Sequence, residues 1–300
     1  MGIFFLYRTT KESSMKKILL TIVLVVLICT EALAESSVWK IQKDGGVLYL
    51  GGTIHLLRQS DFPLPPEFEE AFKKSDILVL ETDLGKFKDP ATQRKLVSKA
   101  LYADGSTLDK HMSARTYTLL DKYCASIGIS LSKFQHFKPS IIAVTMANAE
   151  LAKLGVGQEG VDTFFYQLAV RDKKGIEGLE TVDEQIAYIV EMGEGNEDAF
   201  ITHSINDLES IKQDYENMVN AWKHGDAEKL DELIVDDLKT KLPKLYKELL
   251  ADRTHSWLPK IEAYRRTSER EFILVGAGHL VGSDGLLEVL ERQGYTVEKL

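Results

Sequence analysis

The sequence predicts an α/β protein with a central mixed or mostly parallel sheet, built from two weakly repeated halves and carrying large helical insertions. Three observations predict this. Short apolar runs end on glycine or glutamate, a glycine-histidine motif follows two of those runs, and the long middle of the chain has helical periodicity. With 300 residues, 44% of them hydrophobic and 28% charged, the chain can bury a sizeable core and is not disordered overall.

The N-terminal stretch reads as a leader. Met15-Lys16-Lys17 precedes an apolar run from Ile18 to Ile28, and Ala32-Leu33-Ala34 has the small-residue form of a signal-peptidase site, so residues 1–34 are expected to be a signal peptide with its true start at Met15. The run is short for a bilayer core of ~30 Å, which disfavours a membrane anchor. Lipidation of Cys29 is disfavoured too, because Ile28 stands where a small residue is needed. The expected product, residues 35–300, is exported to the periplasm or secreted and keeps no stable membrane span. Losing four basic and two acidic residues with the leader leaves 33 basic against 44 acidic residues, a net charge of −11, which excludes nucleic acid as a natural partner. Cys124 is then the remaining cysteine, so no internal disulfide forms. Its spacing with Leu120 and Ile127 places it on a core-facing helix side.

Val47-Leu48-Tyr49-Leu50, ended by Gly51-Gly52, and Ile77-Leu78-Val79-Leu80, ended by Glu81, read as buried strands. Pro65 to Lys74 lies between them as a helix, with proline first, acids early, lysines last, and Phe68 and Phe72 on one face. Helices are predicted near 90–101, 113–127, 139–154, 161–171, 182–192, 197–223, 227–239 and 243–264. Gly155 to Gly160 is a glycine-rich break, and Thr181-Val182-Asp183-Glu184 a capping box. Gly175 to Leu179 reads as a short strand ending at Glu180. Phe272 to Val275 is another strand, followed by a helix from Asp284 to Arg292 and a last strand at Tyr295 to Val297. No linker rich in proline or serine divides residues 35–300, so they are read as one domain with a helical insertion over about 86–265.

The repeated motifs are Gly52-Thr53-Ile54-His55 and Gly276-Ala277-Gly278-His279. A histidine just beyond a buried strand sits where open α/β sheets expose their ligand crevice, and glycine permits close backbone approach there. Glu81 and Glu180 end strands of the same kind, so His55, His279, Glu81 and Glu180 are candidate ligands of a divalent metal ion. Imidazole with carboxylate favours zinc, manganese, cobalt or iron over calcium. A carboxylate not spent on the metal is a candidate general base, and Arg253 a candidate for stabilising developing negative charge, which makes Glu81, Glu180 and Arg253 the candidate catalytic residues. Glu159 and Asp162 read as a solvated helix N-terminus, where acids are favoured. His111, His136, His203, His224 and His255 read as structural, and the acidic run at Asp231, Glu232, Asp236 and Asp237 as a solvated helix face.

Together, Gly52 to His55, Glu81-Thr82-Asp83, Gly178-Leu179-Glu180-Thr181 with Glu184-Gln185, and Gly276 to His279 resemble the TraB/GumN family, which includes the Tiki-like proteins. The resemblance covers nearly all of residues 35–300. It implies an α/β fold related to the erythromycin-esterase and ChaN-like proteins, and metal-dependent proteolysis as known for the Tiki branch. His55, Glu81, Glu180 and His279 match motif residues, and Arg253 followed by Trp257 matches the family's arginine element. Thr254 departs from it, standing where asparagine is common. The leading expectation is a metal-dependent hydrolase, a peptidase using activated water on an exported peptide or protein. The alternatives are a non-enzymatic exported protein that binds a peptide, haem or metal, and a protein in which the buried histidines and glutamates only brace the sheet.

Overall fold

The computed structural model describes residues 36–300 apart from Gln158, so the expected leader at residues 1–34 lies outside the described residues. Six strands form one sheet: β1 (Val38–Lys43), β2 (Gly46–Thr53), β3 (Ile77–Leu80), β4 (Gly175–Gly178), β5 (Glu271–Gly276) and β6 (Thr296–Lys299), ordered β4-β3-β5-β2-β1-β6. Neighbours from β4 to β2 run parallel, and β1 is antiparallel to both β2 and β6. The expected mixed, mostly parallel sheet is therefore present, and the two strands carrying the glycine-histidine motifs lie side by side, with Thr53 opposite Gly276.

β1 is a strand that the sequence reading did not include. It forms a hairpin with β2 through Asp44 and Gly45, whose φ values of 48° and 84° suit a two-residue turn with the twist of the strands. The central strands need apolar side chains on both faces, and Leu48 to Leu50, Leu78 to Leu80 and Phe272 to Val275 are all buried.

Helix α1 (Pro66–Lys74) starts on proline and turns Phe68 and Phe72 into the core. There Phe68 meets Phe165, Trp222 and Phe272 at ring separations of 6.1, 5.4 and 6.3 Å. The predicted helices of the middle are present: α2 (Pro90–Ala100), α3 (Ala114–Ser126), α4 (Pro139–Lys153), α5 (Val161–Asp172), α6 (Val182–Glu191) and α7 (Glu197–Lys223). β4 pairs with β3 between α5 and α6, so the helical region returns to the sheet once midway. A second apolar core lies among the helices, where Leu120, Cys124, Ile142, Met146 and Ile201 pack together, which bears out the placement of Cys124. α6 opens with the predicted capping box, in which the Thr181 hydroxyl accepts from Glu184 N and the Glu184 carboxylate accepts from Thr181 N.

The segments predicted at 227–239 and 243–264 are helical but not uniformly α. Asp231–Asp236 and Lys247–Ala251 are π-helical, and the second leads directly into α8 (Asp252–Tyr264). Wide turns of this kind recur at functional sites. Among the described residues no helix is long and apolar enough to cross a membrane.

The glycine-rich break has a defined task. Gly157 N donates to Leu57 O, Leu57 N to Glu159 O and Val161 N to Ile54 O, which docks the start of α5 on the segment carrying His55. A Cβ on Gly160 would lie 2.2 Å from the carbonyl carbon and oxygen of His55. Gly160→Ala is expected to destabilise the protein by about 1–3 kcal/mol, the usual range for overpacking. Thermal unfolding reads this as a Tm lower by several degrees, and an unchanged Tm would contradict the docking of 54–57 on the glycine segment.

Candidate functional site

Thr53, Leu80, Gly178 and Gly276 end four parallel strands at one edge of the sheet, and the chain beyond each carries a predicted site residue. His55 follows β2, Glu81 follows β3, Glu180 follows β4, and His279 lies in the short 3-10 turn Ala277–His279 after β5. The carboxyl edge of the sheet thus assembles groups that are far apart in the sequence.

Arg253 joins them from above, on the first turn of α8. Its Nε donates to Glu180 Oε1 at 2.7 Å, and its Nη2 donates to Glu180 Oε2 at 2.9 Å and to Glu81 Oε2 at 2.6 Å. Nη1 donates to the Leu249 carbonyl and to His279 Nε2, each at 3.2 Å, and Nη2 reaches Gln185 Oε1 at 3.2 Å. Arg253, Glu81, Glu180 and His279 are all at most 7% exposed. A buried guanidinium fork between two carboxylates satisfies donors and acceptors that would be very costly to leave unpaired. The Tyr188 and Trp257 rings flank the guanidinium, its carbon lying 4.9 and 5.3 Å from their centroids, and Trp257 Nε1 donates to Glu180 Oε1 at 3.0 Å.

The two histidines are held in the same way. His279 Nδ1 bonds Thr254 Oγ1 at 2.9 Å, and His55 Nδ1 bonds Asp162 Oδ2 at 2.8 Å. Because Arg253 can only donate, His279 Nε2 is an acceptor, so the proton sits on Nδ1. A neutral His55 with its proton on Nδ1 toward Asp162 likewise keeps a lone pair on Nε2. Thr254, which departs from the family pattern, thus supplies a polar contact itself. Asp162 corrects the sequence reading. It is 8% exposed and accepts from both His55 and the Thr53 hydroxyl (3.0 Å), so it is a partner of the site and not part of a solvated helix end. The docking of the glycine segment on 54–57 brings it there, a long-range contact that local pattern does not reveal. Glu159 does remain exposed.

The electrostatics separate the groups. Burial pulls the His279 pKa down and the charge of Arg253 pulls it further, against the attraction of Glu81, so its imidazole is neutral. Burial opposes ionisation of Glu81, but Arg253 and the Gly276 N–H, which donates to Oε1 at 2.7 Å, hold its carboxyl well below the usual range. Burial raises the pKa of Glu180 and outweighs its pairing with Arg253. Asp162 raises that of His55, whose side chain is 64% exposed.

The residues fit a divalent metal by donor chemistry. Both Nδ1 atoms are committed to oxygen partners, as in metal-binding histidines, but the lone pair of His279 Nε2 already accepts from Arg253 Nη1, a contact that an ion would displace. Glu81 Oε1 lies 3.9 Å from His279 Nε2. A Cβ on Gly276 would sit 3.2 Å from Glu81 Oε1 and 3.7 Å from both His55 Nε2 and His279 Cδ2, so the three side chains converge on a residue that has none. Glu180 differs: both of its oxygens are engaged by Arg253 and Trp257. Among the described residues, the set whose ligand atoms all lie within 4.8 Å of one another is instead His203, Asp207 and Asp237, where Lys241 already pairs with Asp237 at 2.6 Å. The other histidines read as structural keep local contacts: His255 bonds the Ala251 carbonyl of its own helix, and His111 stacks on Tyr102.

A mostly parallel sheet whose carboxyl edge gathers histidine, glutamate and a buried arginine defines an α/β protein with a charged, largely buried side-chain cluster at that edge. Sequence comparison agrees with that class: the chain belongs to the TraB/PrgY/gumN family, whose sequence model matches residues 37–299. Curated relatives include Metalloprotease TIKI1 of Homo sapiens, 23% identical over 320 residues that cover 88% of this chain and 62% of that protein. Metalloprotease TIKI1 of Danio rerio is 22% identical with 88% and 63% covered, and Metalloprotease TIKI2 of Danio rerio 22% identical with 83% and 58% covered. The chain therefore spans about 62% of the length of the human relative. No solved structure matches it.

Arg253→Met leaves two buried carboxylates without their cation and is expected to cost about 3–5 kcal/mol, as for other broken buried pairs. Denaturant unfolding at neutral pH checks this, and a loss below 1 kcal/mol would mean that the carboxylates are solvated in the folded protein.

Proposed function

We propose that this protein is a metal-dependent hydrolase, acting as a peptidase on an exported peptide or protein. The observation that carries the reading is the pair of histidines with Nδ1 atoms bonded to Asp162 and Thr254, whose rings lie with the ionised Glu81 around Gly276. Relatives named as metalloproteases support it, and the expected leader at residues 1–34 supports a periplasmic or secreted address.

His55, His279 and Glu81 would hold the ion, with zinc, manganese, cobalt and iron all compatible with the donor set. When bound, such an ion supplies Lewis acidity toward a peptide carbonyl and lowers the pKa of water. Glu81, kept ionised, suits ligation. Glu180, left out of the ligand set, is the candidate proton acceptor: burial raises its pKa, the direction that strengthens a base, and its oxygens would have to exchange a contact with Arg253 or Trp257 for the water. Arg253 holds both carboxylates in place and offers guanidinium N–H groups to negative charge developing on the substrate. Asp162 and Thr254 act through the histidines as positioning residues.

A second reading rests on the same arginine. Arg253 occupies one oxygen of Glu81 and both of Glu180, a saturation that favours stoichiometric capture of a peptide, haem or metal without turnover. Kinetics on metal-loaded protein separate the two. Turnover of peptides that stops in Glu81→Gln along with metal loss, and falls roughly 10²–10⁴-fold in Glu180→Gln with metal retained, is the expected result. Tight binding without turnover in the metal-loaded parent would establish the second reading. Asp162→Asn is expected to weaken metal affinity about 10–100-fold, the usual effect of losing a ligand's outer partner. Competition with a chromophoric chelator measures it, and an unchanged affinity would remove His55 from the ligand set.

A further inference from the structure

Two hollows both have His55 in their walls and share no other lining residue. The first, about 260 Å³, is walled by Leu80, Leu84, Phe87 and Ile189 and contains Glu81 and Asp162. The second, about 310 Å³, is mostly apolar, with Ile54, Leu56, Leu151, Met218 and Leu233 around it and Asp214 at its side. Each is near the lower end of the ~300–1,000 Å³ typical of ligand cavities. The second opens into a third of about 660 Å³, with which it shares Ile211, Asp214 and Leu233. That larger hollow has an apolar floor that includes Ala143, Ala147 and Leu208, and a rim bearing Asp207, Asp214, Glu232 and Asp237.

The charge along this channel is one-sided. Its single lysine, Lys241, is paired with Asp237 at 2.6 Å, and Glu232 is paired with Lys229 at 2.7 Å. Asp214 accepts from the Ser210 hydroxyl and has no cation within ion-pair distance among the described residues, although it is exposed and lines both hollows. A continuous apolar trough leading to His55, with an uncompensated carboxylate along it, matches an extended chain that buries apolar side chains and carries a positive charge.

We propose that this channel is the docking groove for a polypeptide substrate, and that Asp214 selects a lysine or arginine a short way along the chain from an apolar residue seated beside His55. The inference rests on the peptidase reading for its substrate, while the groove itself is testable by binding alone. Backbone spacing of ~3.3 Å per residue sets the offset between the two side chains, so the charged position is scanned experimentally.

The test uses metal-loaded full-length protein and quenched-fluorescence peptides that are identical except for one position carrying lysine, norleucine or glutamate, moved stepwise along either side of the cleaved bond. At one offset lysine is expected to exceed glutamate by roughly three- to tenfold in kcat/KM, mainly through KM, in line with the modest worth of an exposed ion pair and its like-charge counterpart. The preference disappears in Asp214→Asn, reverses in Asp214→Lys, and shrinks with added salt, while norleucine peptides are cleaved as before. Cleavage without charge preference, or a preference unchanged in Asp214→Asn, overturns the groove assignment and leaves the peptidase reading standing. If no peptide is cleaved, fluorescence anisotropy of labelled versions decides. Lysine-selective binding that is lost in Asp214→Asn supports the groove and sinks the peptidase reading, and binding blind to charge overturns the groove.

Discussion

Everything at the carboxyl edge of the sheet depends on the burial of Arg253. Its guanidinium is 4% exposed and binds Glu81, Glu180, Gln185, His279 and the Leu249 carbonyl. Two carboxylates could not stay ionised in so dry a setting without it. The same cation fixes the His279 tautomer, because an arginine N–H can only meet the lone pair of Nε2. The arginine therefore fixes the positions of its neighbours and, with burial, favours an ionised Glu81 and a neutral His279.

The sheet supplies the second constraint. Parallel pairing of β2, β5 and β3 places the ends of three chain segments beside one another, so residues separated by more than 200 positions in sequence, such as His55 and His279, converge on Gly276. Both histidines are then braced at Nδ1, one by Asp162 from α5 and one by Thr254 from α8. The braces come from different helices, which ties the orientation of the two imidazoles to the packing of the helical region. His55 stays the more open of the two, and it lies in the walls of both hollows.

Much of this was legible in the sequence because it is local. Apolar runs ending in glycine or glutamate located β2, β3 and β5, and the matched G-x-x-H spacing singled out His55 and His279 among seven histidines. β1 was overlooked although Val38, Trp39 and Ile41 with a following Asp-Gly pair carry a hairpin signal. Asp162 was misread because its burial arises from a glycine segment packing against residues 54–57, which no single window displays. The saturation of Glu180 by Arg253 and Trp257 was equally invisible. Spacing brought Glu180 to the right edge of the sheet, but only the packing of α8 across that edge determines which group its oxygens meet.

The proposed hydrolase requires that His55, Glu81 and His279 together hold one divalent ion. Elemental analysis of the parent protein, purified without chelator, beside a His55→Ala/His279→Ala variant checked for folding, tests it most directly. Close to one equivalent of a transition metal is expected in the parent and none in the folded variant. A parent that holds no metal even after reloading, or a variant that keeps it, would contradict the account and leave the cluster as an internal brace of the sheet.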